Sequence, residues 1–169
     1  MKKLTTRNLV LIGLLSALSY LFFMWEIVII DPLQFDFSDL FVMIAGYTMG
    51  IGPGIMVAFL KNLLHFMFRN AQFVGELTNF VYAVLIMVPL VKFTPKQFIK
   101  RIVLNIAIIL FVTLSMSVFN YFIAMPLYNI GQEVRLSMIK YTFIPFNIIK
   151  TAVLVVIFTF IYPLLDNLS

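Results

Sequence analysis

The sequence predicts an all-α protein, a bundle of six transmembrane helices whose N and C termini are both cytoplasmic. Hydrophobic residues make up 63% of the 169 residues and charged residues only 11%, and the mean hydropathy is +1.07, a balance that a soluble domain could hardly keep in solution. The apolar residues also fall into six runs separated by polar or Gly/Pro-rich segments, and a spanning helix needs about 20 mostly apolar residues. We expect residues 1–169 to form a single integral membrane domain.

The boundaries of the six runs follow from local breaker signals. Pro32 disfavours a helix in the polar stretch after the first run. Gly50-Ile51-Gly52-Pro53-Gly54 predicts a turn between the second and third runs, which are short enough to be tilted or packed inside the bundle. A link over 125–135, with a proline and a glycine, precedes the last run. The predicted spans are residues 9–30, 40–50, 55–68, 73–91, 102–124 and 138–165.

The distribution of basic residues predicts the orientation. Basic residues concentrate on the cytoplasmic side of membrane proteins. Seven of the twelve lie at the start of the chain or after the fourth predicted span, which six spans place on one side, whereas three lie in the opposite loops. The seven are Lys2, Lys3, Arg7, Lys92, Lys96, Lys100 and Arg101, and the three are Arg69, Arg135 and Lys140. The acidic loop 31–39 is then expected outside the cell.

Composition and motifs exclude several classes of function. There is no cysteine and one histidine, so thiolate catalysis and cysteine-bound metals are excluded, and no metal site or cofactor is predicted. No GxxxxGK[ST] loop, HExxH or GxSxG motif occurs. An intramembrane enzyme would have to use Asp36 and Asp39 for catalysis. Two carboxylates without a catalytic cluster around them give weak support for an enzyme. The net charge of +5 is explained by topology and does not call for a nucleic-acid partner.

Polar side chains inside apolar spans are expensive and commonly functional, so they are the candidate site residues. Lys61 and His65 are one turn apart and share a helix face, and Glu76 on the next span is the predicted partner of Lys61. Such a pair could contact a ligand or could simply hold the third and fourth spans together. The residues leave both interpretations open.

The last span carries a second polar face. Asn147 and Lys150 are three residues apart and point the same way, and Pro145 loosens the backbone hydrogen bonding beside them. An amide and an ammonium group on one face form a donor-rich site for a ligand with oxygen or ring-nitrogen acceptors. Hydrogen bonding between helices is the alternative. Phe35 and Tyr121 could stack on a flat ligand.

Gly13 and Ala17 are small residues four positions apart on the first span. Small residues at this spacing let another helix approach closely, either within the bundle or from a partner subunit. Both interpretations are open from the sequence.

Seven motifs in a fixed order resemble one family. They are Asp36-Phe-Ser-Asp39-Leu, Gly52-Pro-Gly54, Leu60-Lys-Asn-Leu-Leu-His65, Gly75-Glu-Leu-Thr-Asn79, Asn120-Tyr-Phe, Pro126-Leu-Tyr and Pro145-Phe-Asn-Ile-Ile-Lys150. Together they resemble the riboflavin-transporter-like S components of energy-coupling factor (ECF) vitamin importers, over the whole length of the chain.

The resemblance implies a six-helix bacterial plasma-membrane protein that binds one water-soluble vitamin from outside. It implies three partners, a transmembrane T subunit and two cytoplasmic ATPases, and docking of Gly13 and Ala17 on the T subunit. It also implies that the loop 31–38 caps the pocket. The vitamin stays open among riboflavin, pantothenate and a pyridoxine or hydroxymethylpyrimidine compound, and a standalone channel or an intramembrane enzyme is the alternative function. The candidate substrate-binding residues are Asn120, Asn147, Lys150, Glu76, Asn79, Lys61, Phe35 and Tyr121.

Overall fold

The computed structural model describes residues 5–30, 33–69 and 71–166, and within these it contains six helices and one two-stranded hairpin. The predicted all-α class is confirmed. The fifth and sixth helices each contain a short π-helical segment, Asn120–Ala124 and Ile139–Phe143. The elements are α1 Thr6–Phe23, β1 Ile27–Ile30, β2 Leu33–Phe35, α2 Ser38–Met49, α3 Ile51–Arg69, α4 Phe73–Phe93, α5 Phe98–Leu127 and α6, which runs from Gln132 to Asp166.

Five of the described helices, all except α2, are long and apolar enough to cross a membrane. Their outward faces carry large exposed apolar side chains, such as Val103, Leu114 and Phe160. A surface of this kind suits hydrocarbon rather than water. The number of crossings and the cytoplasmic termini remain predictions, and Lys2 and Lys3, used to orient the chain, lie outside the described residues.

The first span ends earlier than predicted. The helix stops at Phe23, and residues 27–30 pair with 33–35 as an antiparallel hairpin, with Ile27 opposite Phe35 and Val28 opposite Gln34. The prediction of a helix to residue 30 was therefore wrong. The β-branched run Ile27-Val28-Ile29-Ile30 favours a strand, although its hydropathy cannot be distinguished from that of a spanning helix.

The Gly/Pro segment is mostly helical rather than a turn. Gly50, with φ of +103°, is the single residue between the end of α2 at Met49 and the start of α3 at Ile51. Pro53 fits because the first N–H groups of a helix have no partner within it. The predicted turn over residues 50–54 was therefore too long.

The short helix α2 lies at the centre of the bundle. It packs against α1, α3, α4 and α6, and Val42, Met43 and Ala45 are fully buried. α2 and α3 approach closely where two glycines face each other, since a Cβ added at Gly54 would lie 2.9 Å from the Cα of Gly46.

The link between the last two helices is also shorter than the predicted one over residues 125–135. α5 continues to Leu127 and α6 begins at Gln132, so that only residues 128–131 connect them. The two π-helical segments lie close to this link, one in each helix, and such segments are frequent at functional sites.

Replacing Gly54 with alanine is expected to destabilise the protein by roughly 1–3 kcal/mol, because the new methyl group meets backbone and α2 must shift. Thermal unfolding in detergent measures the effect. Gly52→Ala on the same helix is the matched control, since nothing lies within 4 Å of a Cβ there. Equal melting temperatures for the two variants would contradict close α2–α3 packing.

Candidate functional site

The bundle contains a partly open cavity of about 950 Å³ between the end of α1, the hairpin segment and helices α3 to α6. This lies toward the upper end of the roughly 300–1,000 Å³ typical of small-molecule sites. Five of the predicted substrate-binding residues lie on its wall and are thus brought together: Glu76, Asn79, Asn120, Asn147 and Lys150. Asn120 reaches it from the π-helical segment of α5.

A buried ion network lies beside the cavity and contributes Asp36 and Lys150 to its wall. Lys150 Nζ lies 3.0 Å from Asp36 Oδ2 and 3.3 Å from Asp39 Oδ2. Lys61 Nζ lies 2.5 Å from Asp39 Oδ1, and neither of these two side chains is exposed. Two ammonium groups thus face two carboxylates, which compensates charges that would otherwise be very costly to bury.

The network fixes the segment between the hairpin and α2. Asp36 Oδ1 accepts hydrogen bonds from the backbone N–H and the hydroxyl of Ser38. Lys61 Nζ donates to Ser38 Oγ at 2.5 Å, and Ser19 Oγ of α1 donates to the Ser38 carbonyl at 2.8 Å. The start of α2 is therefore bonded to α1, α3 and α6 at once.

Asp36 lies in the connection before α2, outside the spanning helices. Burial raises the pKa of this carboxyl, but the ammonium groups of Lys150 and Lys61 and the Ser38 hydroxyl outweigh burial and lower it to about 2. Asp36 is therefore ionised at physiological pH, and its salt bridge to Lys150 persists there.

The predicted pair of Lys61 with Glu76 is wrong. Lys61 binds Asp39 and Ser38, and Glu76 instead binds His65, with 2.6 Å between Glu76 Oε1 and His65 Nδ1. Spacing along the sequence placed Lys61 and His65 on one face correctly. It could not show which of two nearby acidic residues lies closer to the ammonium group.

His65 bridges two carboxylates. Its Nε2 lies 3.1 Å from Oε1 of Glu26, a residue in the connection between α1 and the hairpin. Its Nδ1 faces Glu76. Phe23 stacks on the imidazole with ring centroids 3.9 Å apart. Glu26 was missed by sequence reasoning because it lay within the predicted first span and matched no motif.

Four residues on the cavity wall carry buried polar atoms with no hydrogen-bond partner among the described residues. These atoms are Glu76 Oε2, Asn79 Oδ1, Asn120 Oδ1 and Asn147 Nδ2. Buried polar groups in proteins are nearly always bonded, and leaving one unpaired costs about 1–3 kcal/mol. Such a set in a cavity indicates a ligand that would supply the missing partners.

Apolar and aromatic side chains surround these amides. Tyr82, Met116 and Phe146 line the cavity. The Tyr82 ring lies 4.8 Å from Lys150 Nζ, and its hydroxyl lies 3.0 Å from Thr151 Oγ1. The cavity can therefore take a ligand that is partly flat and apolar and partly polar.

Three predicted substrate-binding residues are not on the cavity wall. Lys61 is fully buried in the ion network. Phe35 packs edge-on against Phe37, and Tyr121 contacts Phe122. The part of the predicted cap that lies at residues 31 and 32 falls outside the described residues, whereas Leu33, Gln34 and Asp36 line the cavity. Gly13 and Ala17 are exposed on α1.

Comparisons with known proteins agree on one family. Residues 7–162 match the family model described as ECF transporter, substrate-specific component. The chain is 32% identical to Riboflavin transporter RibU of Staphylococcus aureus (strain TCH60), covering 95% of this chain and 91% of that protein. It is 26% identical to Riboflavin transporter FmnP of Bacillus subtilis (strain 168), covering 92% and 90% respectively.

A solved structure is similar over nearly the whole chain. The structure titled "Structure and mechanism of the S component of a bacterial ECF transporter" superposes with a TM-score of 0.77 at 30% identity. The match covers 96% of each chain. The helical arrangement described above is therefore the fold of that protein.

Replacing Lys61 with methionine is expected to destabilise the protein by about 3 kcal/mol or more, because Asp39 loses its nearest counter-charge in a buried site. The double variant Lys61→Met/Asp39→Leu should recover much of that loss, since it removes the unpaired charge. Melting temperatures in detergent report both, with Lys140→Met, an exposed lysine, as control. A single variant as stable as the control would contradict the network.

Proposed function

Because the chain belongs to the family of substrate-specific (S) components of ECF transporters, we propose that it is the riboflavin-binding subunit of an ECF-type importer. Members of this family are transport subunits, so the chain is a transport subunit and not an enzyme. The choice of ligand rests on the unpaired amide groups of Asn79, Asn120 and Asn147 in the cavity.

The amide groups suit a flavin ring. The pyrimidine edge of riboflavin presents one N–H donor between two carbonyl acceptors, and each asparagine offers both an amide donor and a carbonyl acceptor. Asn120 and Asn147 are the two that lie on facing helices α5 and α6 beside the apolar wall. We propose that they bind this edge, and that Tyr82, Met116 and Phe146 contact the ring.

In this proposal Lys150 contacts both the ligand and Asp36. It lines the cavity while its ammonium group is already bound to Asp36 and Asp39. A cation so engaged is poorly placed to neutralise an added carboxylate, which argues against pantothenate. The names of the curated relatives argue against pyridoxine-type compounds. Lys150 would instead add one hydrogen bond to a flavin carbonyl and would hold Asp36 in the cap.

We propose the following topology and assembly. The chain crosses a bacterial plasma membrane as one domain, with both termini cytoplasmic and α2 counted as a sixth, shorter crossing inside the bundle. Uptake is driven by two cytoplasmic ATPases through a T subunit. The exposed small residues Gly13 and Ala17 support docking on that subunit, because nothing lies within 4 Å of a Cβ added at Gly13.

Asn147→Leu is expected to weaken riboflavin binding by about tenfold or more, because it removes hydrogen bonds in a buried site. Quenching of flavin fluorescence on titration into the purified protein measures this. Asn105→Leu is the matched control, because Asn105 donates to Thr159 and does not line the cavity. Equal affinities for the two variants would remove Asn147 from the site, and absence of flavin binding by the wild type would contradict the proposed function.

Gly13→Leu or Ala17→Leu is expected to reduce co-purification with the T subunit and ATPases while leaving riboflavin binding by the isolated subunit unchanged. The reason is that a larger side chain on this face keeps a partner helix at a distance. Ala107→Leu adds the same bulk on the exposed face of α5 and serves as control. Normal assembly of both α1 variants would refute docking through this face.

A further inference from the structure

Glu76 stands apart from the amides that the proposed function uses. It lies in the first turn of α4, lines the cavity and is 8% exposed. One carboxylate oxygen, Oε1, is bound by His65, and the other, Oε2, is buried without a hydrogen-bond partner among the described residues. A carboxylate oxygen accepts hydrogen bonds, so Oε2 suits a ligand that offers a donor.

His65 holds that carboxylate in place. A neutral imidazole has one N–H and can donate to one acceptor, yet both ring nitrogens of His65 face carboxylate oxygens, of Glu76 and Glu26. Whichever ring nitrogen carries the proton, the contacts on both sides fix the orientation of the ring. Stacking on Phe23 fixes its plane. His65 is thus a positioning residue that directs Glu76 Oε2.

The two ends of the cavity differ in chemistry. Glu76 precedes Tyr82 by six residues on α4, which corresponds to about 9 Å along the helix axis. Tyr82 lies beside Lys150 at the end that we assign to the ring. Asn79, one turn after Glu76, adds a second unpaired acceptor, Oδ1. Glu76 Oε2 and Asn79 Oδ1 are thus two unpaired acceptors on one stretch of α4, and they suit the hydroxyl groups of a polyol.

We propose that Glu76, positioned by His65, binds the hydroxyl groups of the ribityl chain and is the residue that selects for a hydroxylated substituent on the flavin ring. The inference rests on the proposed function, since it takes a flavin as the ligand. In this proposal Glu76 recognises the ribityl chain, whereas Asn120 and Asn147 recognise the ring.

The test compares two flavins on two variants. Riboflavin and lumiflavin, which carries a methyl group in place of the ribityl chain, are titrated into wild type and Glu76→Leu. The variant is expected to reduce the preference for riboflavin over lumiflavin by about tenfold or more, because charge-assisted hydrogen bonds to the hydroxyls are lost. Glu133→Leu, an exposed glutamate off the cavity wall, is the control and should keep the wild-type preference.

Equal weakening of both flavins by Glu76→Leu would overturn the inference, because a purely structural role changes both affinities together. A second measurement uses the wild type alone and so does not depend on the folding of a variant. A flavin with an N10 pentyl chain has the length of the ribityl chain and no hydroxyls, and it is expected to bind more weakly than riboflavin by a similar factor. Equal binding would overturn the inference while leaving the proposed function intact, whereas binding of no flavin would contradict both.

Discussion

The rest of the structure depends on the pairing of two lysines with two aspartates in the interior of an apolar bundle. Lys61 and Lys150 come from α3 and α6, Asp36 comes from the segment before α2, and Asp39 comes from the first turn of α2. None of these charges can be buried alone at a tolerable free energy. The ion pairs between them therefore hold α3, α6 and the start of α2 together. Asp36 directly follows the hairpin, so the hairpin is held beside the cavity as well.

This pairing also decides which groups are free to bind a ligand. The ammonium charges are compensated by carboxylates, so among the described residues of the cavity wall the buried polar atoms without a partner belong to Asn79, Asn120, Asn147 and Glu76. A neutral ligand with a flat polar edge and hydroxyl groups satisfies such a wall without adding charge. Asp36 and Lys150 belong to this network and also line the cavity, so the ion pairs and the cavity wall share these two side chains.

The sequence predicted what depends on helical periodicity and composition. The apolar runs predicted the helices, and spacing placed Asn147 and Lys150 on one helix face. Asn120, on another helix, was predicted through the family resemblance, and all three line the cavity. It missed the hairpin, because strands of four and three residues within an apolar run have the same hydropathy as a continuing helix. It also chose the wrong partner for Lys61, since Asp39 and Glu76 are both plausible until α2 is known to pack centrally against α3. The π-helical segments, one of which carries Asn120, left no signal in the pattern.

The proposed function depends on riboflavin in the cavity, and native mass spectrometry of the gently purified protein can identify the bound ligand by its mass. We expect a single bound ligand with the mass of riboflavin, retained on purification or taken up when riboflavin is added. A bound mass matching pantothenate or a pyridoxine-like compound would contradict the choice of ligand. No uptake of riboflavin by folded protein would contradict the account as a whole.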